Sequence, residues 1–122
     1  MFAWVALGGA AGAMARYGVG LATVSALGPR VPWGTLVVNV VGSAALGAAL
    51  EGGTTLSPGM RLMWTTGFLG AFTTFSTFSV ETVRLVERGA LSWAAASVLG
   101  NVVLGLLGAG LGIAAVRWMR LS

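Results

Sequence analysis

The chain has 122 residues, of which 57% are hydrophobic and only 8% charged, against roughly a quarter charged in an ordinary soluble domain. It cannot cover its surface with ionised groups, so its expected solvent is lipid. Cysteine and histidine are absent and there are three acidic residues, Glu51, Glu81 and Glu87; this excludes a disulfide framework, a thiol nucleophile and, in practice, a His/carboxylate metal site. The net charge of +4 is carried by arginine alone. The arginines are scattered at the ends of apolar runs, which argues for membrane anchoring and against a clustered basic face for nucleic acid.

Apolar runs of about 20 residues span a bilayer as helices, and four such runs follow one another. The expected organisation is one all-α transmembrane domain over residues 1–122, with spans at about 2–27, 31–50, 61–86 and 90–117. The first run has no basic n-region and resembles the runs after it, so it is read as a retained membrane helix and not a signal peptide. Arg16 interrupts it and requires a partner, a cavity or the interface. Glu81 is the nearest chemical candidate for that partner.

The second run carries Thr35, Asn39 and Ser43 at successive i, i+4 steps, on one helix face. The Asn39 amide cannot be satisfied on its own helix. It therefore reads either as an interhelical hydrogen bond that holds the bundle together or as part of a polar path. The third run, Gly67-Phe68-Leu69-Gly70-Ala71-Phe72-Thr73-Thr74-Phe75-Ser76-Thr77-Phe78-Ser79, alternates hydroxyls with phenylalanines. On a continuous helix Phe72, Phe75 and Phe78 share a face, with Thr73, Thr74 and Thr77 beside it. Core packing and hydroxyls bonded back to carbonyls are the plain reading of such a stripe. Two glycines next to hydroxyls make a helix break plausible, and a break at membrane depth is tolerated only where it is buried in protein or lines a cavity. Aromatic edges are electropositive, so phenylalanines beside hydroxyl donors can solvate an anion without a formal charge. In the fourth run Ser92 and Ser97 read as packing residues, and Asn101 needs a partner.

The 20 glycines fit close helix packing, as at Gly8/Gly12, Gly42/Gly47 and Gly105/Gly108/Gly112. Threading four spans puts Arg61, Arg117 and Arg120 on one side and Arg30, Arg84 and Arg88 on the other. Orientation follows Lys/Arg asymmetry, and here there is almost none. The expectation is insertion both ways and an antiparallel dimer.

Gly8-Gly9, Gly12-Ala13 and Arg16-Tyr17, then Gly34 to Asn39 with Gly42-Ser43 and Gly47, then Gly67 to Gly70, Phe72 to Ser79 and Glu81 resemble, in order and over the whole chain, the Fluc (CrcB) family of fluoride channels. The Thr-Thr-Phe-Ser-Thr-Phe run is the specific part. The resemblance implies a dual-topology homodimer in the cytoplasmic (inner) membrane, multi-pass, with two pores that export fluoride and relieve its toxicity. It implies ring edges of Phe75 and Phe78 facing the ion, Asn39 as the amide donor, and Thr74, Ser76 and Thr77 extending the polar track. It further implies a break near Gly70 to Thr73, where the carbonyls of Gly70 and Thr73 from both subunits hold a structural sodium ion (Na+), and Arg16 near the pore entrance. Many members carry a tyrosine and a serine on the fourth span where this chain has Ser97 and Asn101. That departure leaves open the path along this helix, with Asn101 still a competent donor.

A small drug/proton antiporter shares the size and the four spans, but needs an ionisable group within the membrane, and Glu81 is the only candidate. A purely structural subunit explains the glycines but not the Phe/Thr run. An enzyme is not expected, since no paired intramembrane acids, His or Cys are available for acid–base work.

Overall fold

The computed structural model describes residues 1–122, except the side chain of Thr54. Helix α1 spans Phe2–Leu27 and α2 Trp33–Gly52. The turn between them opens at Gly28, whose φ of 82° suits glycine. A short 3-10 turn, Gly53–Thr55, leads into the third apolar run. That run starts at α3, Pro58–Leu62, where Ser57 caps by accepting from the Met60 amide at 3.3 Å and Pro58 occupies the first turn. A π-helical segment, Met63–Leu69, and α4, Gly70–Phe72, follow.

The chain then leaves helical geometry for two residues. Thr73 and Thr74 are extended, with ψ of 159° and 124°. Helix α5, Phe75–Glu87, begins anew with Thr74 as its N-cap, the hydroxyl accepting from the Thr77 amide at 3.2 Å. Helix α5 closes in a Schellman turn: Gly89, at φ 75°, donates to Val86 O, and Ala90 donates to Leu85 O, both at 2.9 Å. The fourth run comprises α6, Leu91–Leu99, a π-helical segment Gly100–Leu104, and α7, Gly105–Leu121.

Thus the described chain is all-helical, and four apolar helical runs succeed one another. The break lies at Thr73–Thr74, at the end of the stretch expected to hold it, because Thr74 is the residue that can cap a new helix. Its consequence is a phase change. Phe72 does not share a face with Phe75 and Phe78 as a continuous helix would have it. Phe72 is buried and stacks on Phe68 with ring centroids 5.8 Å apart.

Helix α2 packs mainly on α7, and α1 on the π-helical segment and α4 of the third run. Both interfaces bring backbones into contact through glycine. A Cβ on Gly12 would run into the carbonyl of Phe68, and one on Gly112 into that of Ala44. Small residues serve helix association where no hydrophobic force separates helix from solvent. The outward surface is apolar, with Leu21, Leu106, Leu111 and Trp118 all more than half exposed. Helix Trp33–Gly52 and the continuous run Leu91–Leu121 are each long and apolar enough to cross a membrane.

Gly12→Val is expected to destabilise the bundle by at least ~2 kcal/mol, the scale of overpacking a rigid contact. Gly110→Ala, where a Cβ meets open space, is expected to be near neutral. Thermal unfolding of the two variants in detergent checks the contrast.

Candidate functional site

Breaking a helix strands backbone groups that water cannot reach inside a bilayer. One side chain takes up those of Thr74. Asn39, the seventh residue of α2, accepts from the Thr74 amide through Oδ1 at 2.8 Å and donates to the Thr74 carbonyl from Nδ2 at 2.9 Å. The second Nδ2 proton goes to Asn101 Oδ1 at 2.7 Å, and Asn101 donates in turn to Ser97 O at 2.9 Å. Asn101 lies in the π-helical segment of the fourth run, a local irregularity frequent at functional sites. Asn39 thus joins α2, the break and the fourth run. A Cβ on Gly42, one turn further along α2, would strike the Thr73 methyl, so glycine there lets the break lie against α2.

Two cavities meet at Thr74. One, of about 240 Å³, has Asn39 and Ser43 on α2, Thr73 and Thr74 at the break, Phe75 and Phe78 on α5, and Asn101 and Val102 on the fourth run. Its two phenylalanines meet edge to face, centroids 5.6 Å apart at 63°. Phe78 is buried, whereas Phe75 is 78% exposed. No ionisable residue lines this cavity. Neutral amide and hydroxyl groups beside aromatic edges are of a chemistry that can solvate a small anion.

The second cavity, of about 260 Å³, is lined by Arg16 and Tyr17 from α1, Thr35 and Val38 from α2, and Thr74, Thr77 and Glu81 around the start of α5, with Ala13, Gly20 and Gly34 completing it. Arg16 and Glu81 therefore stand at one cavity, but the direct ion pair expected between them is not formed. The ion pairs among the described residues join Glu51 to Arg117 at 3.2 Å and to Arg120 at 3.8 Å. Arg16 and Glu81 sit on different helices with the cavity between them, and Glu81 Oε2 is buried without a protein partner.

The hydroxyls divide. Thr73 bonds back to Leu69 O at 3.0 Å, the plain role of a membrane threonine, and Ser79 to Phe75 O at 2.9 Å. Thr74 donates to the Thr77 hydroxyl at 3.1 Å, with Ser76 at 3.5 Å. Ser97 pairs with Thr82 at 3.1 Å, a tie between α5 and the fourth run that sequence reading missed. Its only signal was two hydroxyls each facing a helix partner. Ser92 is exposed.

The break also leaves two carbonyls without the donors an unbroken helix supplies. The Thr74 amide, four residues after Gly70, is spent on Asn39, and the Thr77 amide, four after Thr73, on the Thr74 hydroxyl. Gly70 is exposed. Carbonyl oxygens of this kind fit a hard cation in donor chemistry, although two from one chain leave its shell incomplete.

An all-helical protein with an apolar exterior, an interrupted helix and polar cavities at the interruption has the build of a membrane channel. The chain belongs to the CrcB-like protein, Camphor Resistance (CrcB) family, whose pattern it matches over residues 3–113. It is 46% identical over 117 residues to a protein of Syntrophotalea carbinolica named fluoride-specific ion channel FluC, covering 93% of this chain and 95% of that one. Proteins of the same name from Allorhizobium ampelinum and Acidobacterium capsulatum are 43% and 45% identical, over 95% and 92% of this chain and of theirs.

Asn39→Leu is expected to lower stability by ~2 kcal/mol or more, since it strands the Thr74 N–H and the Asn101 side-chain carbonyl together. Ser92→Ala is expected to leave it unchanged. Thermal unfolding in detergent, read against that control, checks this.

Proposed function

We propose that the protein is a fluoride-selective channel that lets fluoride leave the cell across the cytoplasmic membrane. The observation that carries the reading is the neutral cavity at the break, which amide and hydroxyl side chains line together with Phe75 and Phe78. Fluoride is small and strongly hydrated, so a pore must replace its water donors at close range. A fixed cation in the narrow part would hold the ion, and conduction needs binding weak enough to release. The choice of fluoride over other anions rests on the relatives' name. Thr74, Ser76 and Thr77 continue the hydroxyl track toward Arg16 and Glu81, with Arg16 drawing anions to the mouth.

The working unit is an antiparallel homodimer. Phe75 exposes most of its ring and Gly70 its backbone; a second copy covers both, and the even distribution of arginines permits opposite insertion. In that dimer the Gly70 and Thr73 carbonyls of the two subunits hold a sodium ion, which neutralises the stranded carbonyl dipoles and locks the breaks together.

Purified protein in liposomes is expected to release fluoride rapidly and chloride negligibly, read with ion electrodes. Phe75→Leu and Phe78→Leu are expected to reduce fluoride flux by tenfold or more while the dimer elutes unchanged. Loss of the dimer in these variants would instead assign the rings to assembly. Replacement of sodium by a bulky organic cation during purification is expected to weaken the dimer; an unaltered dimer and flux would remove sodium from the account.

A further inference from the structure

The amide of Asn39 has two protons, and both are engaged: one by the Thr74 carbonyl at 2.9 Å, the other by Asn101 Oδ1 at 2.7 Å. The orientation is fixed from outside. The Thr74 amide must meet an acceptor, so Oδ1 and Nδ2 of Asn39 cannot exchange places. The Ser97 carbonyl fixes Asn101 the same way, leaving Oδ1 toward Asn39 and one Nδ2 proton unspent. Asn39 in this arrangement braces the break and offers the cavity no free N–H.

We infer that Asn101 is a positioning residue for Asn39: it takes up the one Asn39 proton that could reach an ion, and so sets how tightly an anion is held at the break. The inference rests on the channel reading. An anion in the cavity must compete with Asn101 Oδ1 for that proton, and each capture is opposed by an internal hydrogen bond of nearly the same kind. That opposition suits conduction, where a donor left free and pre-aimed would retain the ion. The bond from the Thr74 amide holds Asn39 in place throughout, because the break supplies that N–H with no other acceptor.

The test compares two nearly isosteric replacements in the full-length protein in liposomes. The hydroxyl of Asn101→Thr keeps a donor for Ser97 O and an acceptor on the side of Asn39; Asn101→Val keeps neither. The quantity read is the fluoride concentration that half-saturates efflux. Asn101→Thr is expected to stay within about twofold of the unmodified protein. Asn101→Val is expected to half-saturate at about tenfold lower fluoride, the worth of one hydrogen bond to a charged group, with a lower maximal rate. A half-saturation that is the same in both variants, or higher in Asn101→Val, overturns the inference; the higher value would make Asn101 a direct donor. Should Asn101→Val fail to form the dimer, Asn101→Ala is read against Asn101→Thr in its place. Absence of flux in the unmodified protein is seen before any variant is compared and overturns the channel reading itself.

Discussion

A helix interrupted inside a bilayer exposes amide and carbonyl groups where no water is available, and each one left unpaired costs several kcal/mol. Here the interruption at Thr73–Thr74 survives because Asn39 presents an acceptor and a donor to the same residue, Thr74, at 2.8 and 2.9 Å. The rest of the arrangement depends on that pair of bonds. Without them the cheapest course for the third run is to stay helical, which would return Thr73 and Thr74 to the helix and reshape the wall that both cavities share at Thr74.

The helix packing serves the same end. Glycine at position 42 lets α2 approach the break closely enough for Asn39 to reach it, while glycines at 8 and 12 hold α1 against the backbone of Met63 and Phe68 in the third run. The new helix that starts at Phe75 is rotated out of phase with α4. That rotation turns Phe72 into the core and leaves Phe75 and Phe78 at the cavity. Polar groups are thereby gathered around one irregular point, and the exterior is left to apolar side chains suited to lipid. The ion pairs, by contrast, lie at one end of the bundle, where Arg117 and Arg120 meet Glu51; such exposed pairs contribute little stability.

Much of this is legible in the amino-acid sequence. Long apolar runs with short glycine- and proline-containing turns fix an all-helical chain, because period and length are local properties. Glycine beside hydroxyl residues in the third run pointed to a break. Its position was harder, since it turns on which threonine caps the following helix, and three threonines compete. The shared face of Phe72, Phe75 and Phe78 failed for that reason: the stripe assumes one helical phase, and the cap resets it. Asn39 and Asn101 each announced the need for a partner, being amides in apolar helices. That they satisfy one another across 62 positions is set by how α2 meets the fourth run. Arg16 and Glu81 were matched by charge alone, and charge does not say whether a cavity stands between two groups. The π-helical segments left no mark that local sequence reading detects.

The central claim is the stitching of the break by Asn39, and the Thr74 amide reports on it directly. Hydrogen exchange of that amide, followed by NMR in detergent micelles, is the measurement to make, in the unmodified protein and in Asn39→Leu. The account predicts a slowly exchanging Thr74 amide that becomes fast when Asn39 is replaced, while amides within α2 stay protected. A Thr74 amide that exchanges at the same rate in both proteins would contradict it.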